Sequence, residues 1–127
     1  MNEVLRQLHA RKSVRVFEDR PVEPEVKQAI LEAAIQAPSA GNMALYTILD
    51  ITDPEKKHRL SISCDNQPFI ATAPMVLVFC ADCLKWYDAF KAEGCQPRDP
   101  GVGDVLLAVS DALIAAQNAV VAAQSMG

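Results

Sequence analysis

The stretch DVLLAVSDALIAAQNAVVAAQSM, residues 104–126, decides the architecture of this chain. It is apolar around almost its whole circumference and long enough to raise the question of a membrane span. Its polar residues form one narrow seam, which predicts the central helix of a soluble protein, because aspartates near the middle of a bilayer would be costly. A small domain can hardly bury such a helix on all sides, so we expect a second chain to cover part of it. The seam repeats every seven residues at Asp104, Asp111, Asn118 and Ser125, and Ser110, Gln117 and Gln124 lie one position earlier.

Composition limits the classes of function. A chain of 127 residues predicts a single domain over 1–127, and its 50% apolar and 22% charged residues are typical of a globular protein. The net charge of −4 and the pI near 5.1 exclude the basic face of a nucleic-acid-binding domain. The N-terminal MNEVLRQLHARKS has no apolar core region of a signal peptide, so we expect a cytoplasmic protein that contacts neither nucleic acid nor membrane.

Helical and strand patterns alternate along the chain. Apolar residues at helical spacing run from Pro24, which suits a first turn, to Ala37, where Pro38 stops the helix. The runs YTILDI (46–51) and MVLVFC (75–80) predict two strands, the second buried. The class is therefore α+β or α/β with an incomplete sheet. Further helices are predicted over 2–9, 54–61 and 82–93, and a helical turn ending at residue 73.

Four cysteines leave two readings open. Cys64, Cys80, Cys83 and Cys95 contain one CxxC pair, and together they could form the ligand set of a zinc-binding structural domain. Cys80 closes a predicted strand, where cysteine behaves as a small hydrophobe. We therefore favour structural thiols over a metal site, and over disulfides in a reducing compartment.

The stretch RKSVRVF, residues 11–17, concentrates positive charge in an acidic protein. If it is extended, Arg11, Ser13 and Arg15 share a face, and if it is helical, the two arginines still do. Two guanidinium groups and a hydroxyl suit a phosphate, and Lys12 adds charge beside them. The alternative is a solvated basic turn paired with the acidic residues that follow.

Two further stretches have the composition of ligand-binding loops. In APSAGN (37–42) small residues allow close backbone approach, and Ser39 and Asn42 offer polar contacts. Asn66 and Gln67 carry amides that donate and accept at once, which suits the edge of a heterocycle. The alternatives are a loop that only turns the chain and side chains that cap the following helix.

Taken in order, these stretches are similar to the nitroreductase family of flavin enzymes over the whole chain. The resemblance rests on RKSVRVF, on APSAGN leading into YTILDITD, on NQPFI, on MVLVFCAD and on DALIAAQNAVVAAQSMG. It implies an α+β sandwich with a central antiparallel sheet and a long buried helix, assembled as an intertwined homodimer with FMN at the interface. It also implies hydride transfer from NADH or NADPH through FMN to nitroaromatics, quinones or similar small-molecule acceptors.

The resemblance assigns three groups of residues to FMN and no catalytic side chain, since the flavin carries the chemistry. His9 and His58 are accordingly expected on the surface. Members of the family continue beyond the point that corresponds to residue 127, so an alternative is a catalytically incompetent flavin-binding or dimerisation module. The implied contacts are Arg11, Lys12, Ser13 and Arg15 with the phosphate and ribityl chain, Pro38, Ser39, Gly41 and Asn42 with the ring from the other subunit, and Gln67 with Asn66 at the polar edge of the ring.

Overall fold

The computed structural model describes residues 1–127 and contains the helices and strands that the sequence predicts, with ends shifted by a few residues. A short 3-10 turn in the 37–42 stretch is the one added element. The α+β class is confirmed. In chain order the elements are α1 (Glu3–Ala10), α2 (Pro24–Ile35), the 3-10 turn (Ala40–Asn42), β1 (Tyr46–Asp50), α3 (Pro54–Ser63), α4 (Phe69–Thr72), β2 (Leu77–Ala81), α5 (Lys85–Ala92) and α6 (Val102–Ser125).

The sheet consists of β1 and β2 alone. They pair antiparallel, with Tyr46 opposite Ala81 and Asp50 opposite Leu77. Two strands are marginal without a packing partner, and here helix α6 covers one face. Strand β2 is only half-buried, so the prediction of a buried strand was wrong, because nothing in the chain covers its other face.

Helix α6 presents a stripe of small residues to the rest of the chain. Its buried residues are spaced three or four apart and face α2 and the sheet. Ala115 and Ala34 of α2 are both completely buried. Side chains this small let two helices approach closely, which a larger residue at either position would prevent. The stripe consists of Ala108, Asp111, Ala112, Ala115 and Ala119.

The middle of the polar seam of α6, at Asp111 and Asn118, points into the fold, whereas Ser110, Gln117 and Ser125 are exposed. Asp111 is 3% exposed, and the half-buried Asn118 donates from Nδ2 to the carbonyl oxygen of Ala33 at 3.1 Å. Large apolar side chains on the rest of the helix are therefore left exposed, and the predicted burial of α6 holds for one face only. They include Val102, Val105, Leu106, Leu107, Val109, Leu113, Ile114 and Val120.

The N-terminus of α6 is held by an ion pair. Both terminal nitrogens of Arg98 donate to the Asp104 carboxylate, at 2.8 and 2.9 Å, and the Gly101 N–H donates to it at 2.7 Å. The Arg98 hydrogen bonds, and next the bond from Gly101, lower the pKa of Asp104 to about 2. Asp104 thus fixes where the helix begins, as an acidic residue in a first turn does.

The exposed surface is larger than a compact chain of this mass should have. A folded monomer of 13.8 kDa exposes about 6,600 Å², whereas this chain exposes 8966 Å². By length and composition α6 could also cross a membrane, a test that core helices of soluble proteins pass as well. The inward carboxylate of Asp111 and the packing on the sheet are those of a core helix that lacks part of its cover.

Candidate cofactor site

The basic stretch is exposed and has no regular secondary structure. Every residue over 11–20 is exposed, and the chain leaves α1 at Arg11 with φ −59° and ψ 131°. Of the two conformations considered for this stretch, extended and helical, the helical one is therefore wrong. Glu18 pairs with Arg20 rather than with the cluster, so the guanidinium groups of Arg11 and Arg15 have no carboxylate partner.

The basic stretch folds back onto the start of α4. The guanidinium carbon of Arg15 lies 5.8 Å from the ring centroid of Phe69, a cation–π distance. The Phe17 and Phe69 rings are 6.4 Å apart between centroids. Because α4 follows directly after Asn66 and Gln67, two of the three predicted groups lie side by side.

The turn before α4 is sharp and does not serve to cap that helix. Asp65 and Asn66 both adopt left-handed conformations, with φ of 63° and 52°. The N-cap of α4 is Pro68, without a side-chain hydrogen bond, so the capping alternative for the two amides was wrong. Gln67 instead donates from Nε2 to the Cys64 carbonyl at 2.7 Å, at the end of α3. Its second N–H and its carbonyl oxygen are left for a ligand.

The loop between α2 and β1 is anchored on helix α6 by Asp111. The Ala40 N–H donates to Oδ1 at 3.1 Å and the Leu45 N–H donates to Oδ2 at 3.2 Å. Within the loop, Ser39 Oγ accepts from the Ala44 N–H at 3.0 Å. Sequence reasoning did not single out Asp111 as a site residue, although its place in the polar seam of an apolar helix was the available signal.

Helix α5 holds the same loop from the other side. Lys85 Nζ donates to the carbonyl oxygens of Ala44 and Tyr46 at 2.7 and 2.6 Å. Trp86 Nε1 donates to the Met43 carbonyl at 2.7 Å. The sequence predicts only a helix over 82–93, so this role of Lys85 and Trp86 was missed.

The surroundings of the buried end of the loop change the pKa of one residue, Tyr46. Burial, and secondarily the negative charge of Asp111, raises the pKa of Tyr46 above its ordinary value of 10.0. The raised pKa keeps the hydroxyl protonated to higher pH than that of an exposed tyrosine, and the loop and the helix meet without a second buried charge.

Within one chain, the loop between α2 and β1 does not contact the other two predicted groups, which are the basic stretch and the amides before α4. Pro38, Gly41 and Asn42 are exposed and Ser39 is half-buried. No hydrogen bond or ring contact links them to the basic stretch or to the amides of the turn before α4. The resemblance assigns this loop to the flavin of the other subunit, an assignment that stays a prediction.

The cysteine and histidine side chains form no metal-binding cluster. All four thiols are free, with Cys64 and Cys95 exposed and the other two half-buried. No group of three or more His, Cys, Asp or Glu side chains could hold a metal ion, which removes the geometric basis of the zinc alternative. His9 and His58 are exposed, as expected.

Comparison with known sequences gives one family and a set of flavin reductases. The model of the nitroreductase family matches residues 8–127. An FMN reductase [NAD(P)H] of Bacillus subtilis is 40% identical over 82 residues, which cover 65% of this chain and 33% of that protein. An NADPH-flavin oxidoreductase of Vibrio harveyi is 33% identical over 82 residues, 65% of this chain and 34% of that protein.

Solved structures agree over the full chain. NfrA2 of Bacillus megaterium superposes with a TM-score of 0.94 at 34% identity, covering 100% of this chain and 52% of that one. The NADPH:FMN oxidoreductase of Vibrio harveyi, solved with NAD+, gives 0.88 at 30% identity, covering 99% and 53%. The chain thus spans about half the length of these structures and about a third of the two curated relatives. With the match over residues 8–127, this chain belongs to the nitroreductase family.

Proposed function

We propose that this chain forms part of an FMN-dependent oxidoreductase that uses NADH or NADPH to reduce nitroaromatic, quinone or similar small-molecule acceptors. The family and the names of the relatives support a flavin reductase. The observation that carries the proposal is the Arg15–Phe69 contact, made two residues along the chain from Gln67.

The residues present fit the chemistry of FMN. Arg11, Lys12 and Arg15 are exposed cations without carboxylate partners, and with the Ser13 hydroxyl they form a donor set for a phosphate. Gln67 has donor and acceptor capacity left for the polar edge of the ring.

A second group would supply the contacts to the ring. Ser39, Gly41 and Asn42 lie in an exposed loop whose backbone is fixed by hydrogen bonds. A ring could stack against such a surface without a side chain in the way, since Gly41 has no Cβ. We assign Pro38 and these three residues to ring contact from the partner subunit.

Bound FMN would supply the redox chemistry, in which NAD(P)H is oxidised to NAD(P)+ and the acceptor is reduced. The chain's own residues would bind and orient the flavin, because the flavin itself carries the redox chemistry. The basic stretch neutralises the phosphate and the amides of the turn select the ring. The cytoplasmic location expected from the sequence stays a prediction.

The exposed face of α6 supports a homodimer. The chain exposes about 2,300 Å² more than a monomer of its mass, within the range that one subunit of a large obligate dimer buries. Leu106 and Leu113 are 62% and 66% exposed, and two such faces can bury one another. A site completed by both subunits would bring the loop to the partner's basic stretch.

The test is flavin retention by the purified chain. After FMN is added and the excess removed by gel filtration, we expect a flavin absorption spectrum that co-elutes with a dimer. Arg11→Ala/Arg15→Ala should lose the flavin. Arg6→Ala/Arg20→Ala, which removes the same charge from exposed arginines paired with Glu3 and Glu18, should keep it. A colourless wild-type chain, or equal loss in both variants, would contradict the proposed site.

A second candidate function is a flavin-binding or dimerisation module without catalysis. The chain spans about half the length of the solved relatives. NAD(P)H oxidation by the flavin-loaded chain distinguishes the two, with an added quinone or nitroaromatic as acceptor. Turnover above the rate of free FMN supports the oxidoreductase, and flavin retention without such turnover supports the module.

A further inference from the structure

Asp111 is a buried carboxylate that no flavin contact explains. It lies on the inner face of α6, 3% exposed, and both of its oxygens accept backbone N–H groups. The donors, Ala40 and Leu45, stand at the two ends of one short loop segment. A single side chain therefore sets the separation of the loop ends.

The segment between the two anchors is conformationally strained. Gly41, Asn42 and Ala44 have φ of 57°, 56° and 48°. A left-handed conformation costs a residue with a Cβ roughly 1–2 kcal/mol, and such conformations persist where the surroundings over-determine them. Here the surroundings include Lys85 and Trp86, which take the carbonyls while Asp111 takes the N–H groups.

The chemistry of the anchor requires a carboxylate. A carboxylate offers acceptor oxygens on both sides, whereas asparagine of the same size offers one oxygen and one NH2 group. In Asp111→Asn the NH2 group would face a backbone N–H, donor against donor. The substitution keeps the packing volume and removes one anchor.

We propose that Asp111 is a positioning residue that holds the 40–45 backbone in the conformation that meets the flavin ring. The inference rests on the proposed function, since it assumes that Gly41 and Asn42 contact the flavin. Asp111 touches no ligand itself and acts through the loop. Its removal should lower the population of the binding-competent loop, and the apparent dissociation constant of FMN rises in inverse proportion to that population.

The chain offers a local reporter and a matched control. Trp86 is the single tryptophan, and its indole N–H is bonded to the Met43 carbonyl inside the segment. Asn118 lies one heptad further along α6, half-buried, and bonds to Ala33 rather than to the loop. Asn118→Asp is the reverse isosteric change, from amide to carboxylate. It breaks a polar contact of the same helix without touching the segment.

The experiment measures FMN affinity and Trp86 emission in wild type, Asp111→Asn and Asn118→Asp at a temperature where all three are folded. We expect Asp111→Asn to raise the dissociation constant of FMN about tenfold. This corresponds to a loop that adopts the binding-competent conformation one tenth of the time. In the absence of FMN its Trp86 emission should be red-shifted and more readily quenched by acrylamide. Asn118→Asp should change neither. An unchanged affinity and emission in Asp111→Asn, or an equal change in Asn118→Asp, would overturn the proposal.

Two further readouts separate the possible failures. If the wild-type chain binds no FMN, the proposed function of this chain fails, and the ligand-free Trp86 emission still decides whether Asp111 holds the segment. If Asp111→Asn does not fold, amide hydrogen exchange of the wild type decides. Slow exchange at both Ala40 and Leu45 supports the anchor, and fast exchange at both overturns it.

Discussion

The loop between α2 and β1 and the basic stretch after α1 carry four predicted flavin contacts each, yet only the loop is held by the rest of the fold. Helices α6 and α5 bind its backbone from opposite sides through Asp111, Lys85 and Trp86. The basic stretch touches the fold mainly through the rings of Phe17 and Phe69 and the Arg15 contact. The loop is therefore organised before any ligand arrives, whereas the basic stretch is not.

This difference separates two ways of contributing to affinity. The entropic cost of ordering a preorganised loop is met when the chain folds. Substitutions that affect such a loop should therefore change stability as well as binding. An exposed cationic stretch is ordered by its ligand, so its substitutions should act on binding alone. The predictions below test whether stability and affinity divide in this way.

The largest expected effect is that of Asp111→Ala on stability. It leaves the buried Leu45 N–H and the half-buried Ala40 N–H without acceptors, at about 2–4 kcal/mol of unfolding free energy. Urea unfolding measures the change, and Asn118→Ala, which removes a single hydrogen bond elsewhere on α6, should cost about 1 kcal/mol. Equal losses in the two variants would mean that the loop is no better anchored than the rest of the helix.

Arg11→Ala/Arg15→Ala should weaken FMN binding and leave the stability of the fold nearly unchanged. Both residues are exposed, so the unfolding free energy should change by less than about 0.5 kcal/mol. The free energy of FMN binding should weaken by about 2–3 kcal/mol, because charge-assisted hydrogen bonds to the phosphate are lost. Titrations at rising salt should weaken the wild type more than the variant. A large stability loss would show that the basic stretch is held by the fold after all.

The fold was predictable because its signals are local and periodic. Helix α2 begins at Pro24 and the strand pattern of YTILD appears as β1, as the sequence indicated. The long apolar segment became α6, but periodicity shows only that a helix has a polar seam. Asp111 faces inward because the loop supplies backbone N–H donors to its carboxylate. No pattern within the helix encodes those donors.

The sequence offers candidate ligand-binding residues for the site, but it does not indicate the residues that support them. Exposed cations and amides show themselves by residue type, as Arg15 and Gln67 did. The bonds of Lys85 and Trp86 to the loop span 41 and 43 positions along the chain, and only the folded backbone brings those positions together. The alternative that Asn66 and Gln67 cap the following helix failed for a related reason, since Gln67 bonds to the end of the preceding helix α3 instead.

Gly41→Ala tests the strain in the loop. The added Cβ would meet nothing closer than the Met43 side chain at 3.6 Å, so the penalty comes from the backbone at φ 57°. We expect a loss of about 1 kcal/mol in unfolding free energy. Gly103→Ala, in the first turn of α6 with nothing within 4 Å of the new Cβ, should instead stabilise by about 0.5–1 kcal/mol. Matching signs in the two variants would contradict a strained loop.

The smallest effect, and the most selective, is expected at alkaline pH. The pKa of Tyr46 is raised in the folded chain above the unfolded value of 10.0, through burial first and the Asp111 charge second. A raised folded pKa contributes stability that is complete below pH 10.0 and is lost as the pH rises through the folded value. Ionised Tyr46 would place a second negative charge beside Asp111, so the loop should loosen there.

Trp86 emission followed from pH 9 to pH 11.5 detects this loosening, and the range spans the tyrosine titration. In Tyr46→Phe the alkaline change should be smaller, because no hydroxyl remains to ionise, whereas Tyr87→Phe leaves Tyr46 intact and should behave as wild type. If the emission of Tyr46→Phe changes as steeply as that of wild type, the alkaline transition belongs to another group. The neutral Tyr46 would then add nothing to the hold that the anchors on α5 and α6 have on the loop.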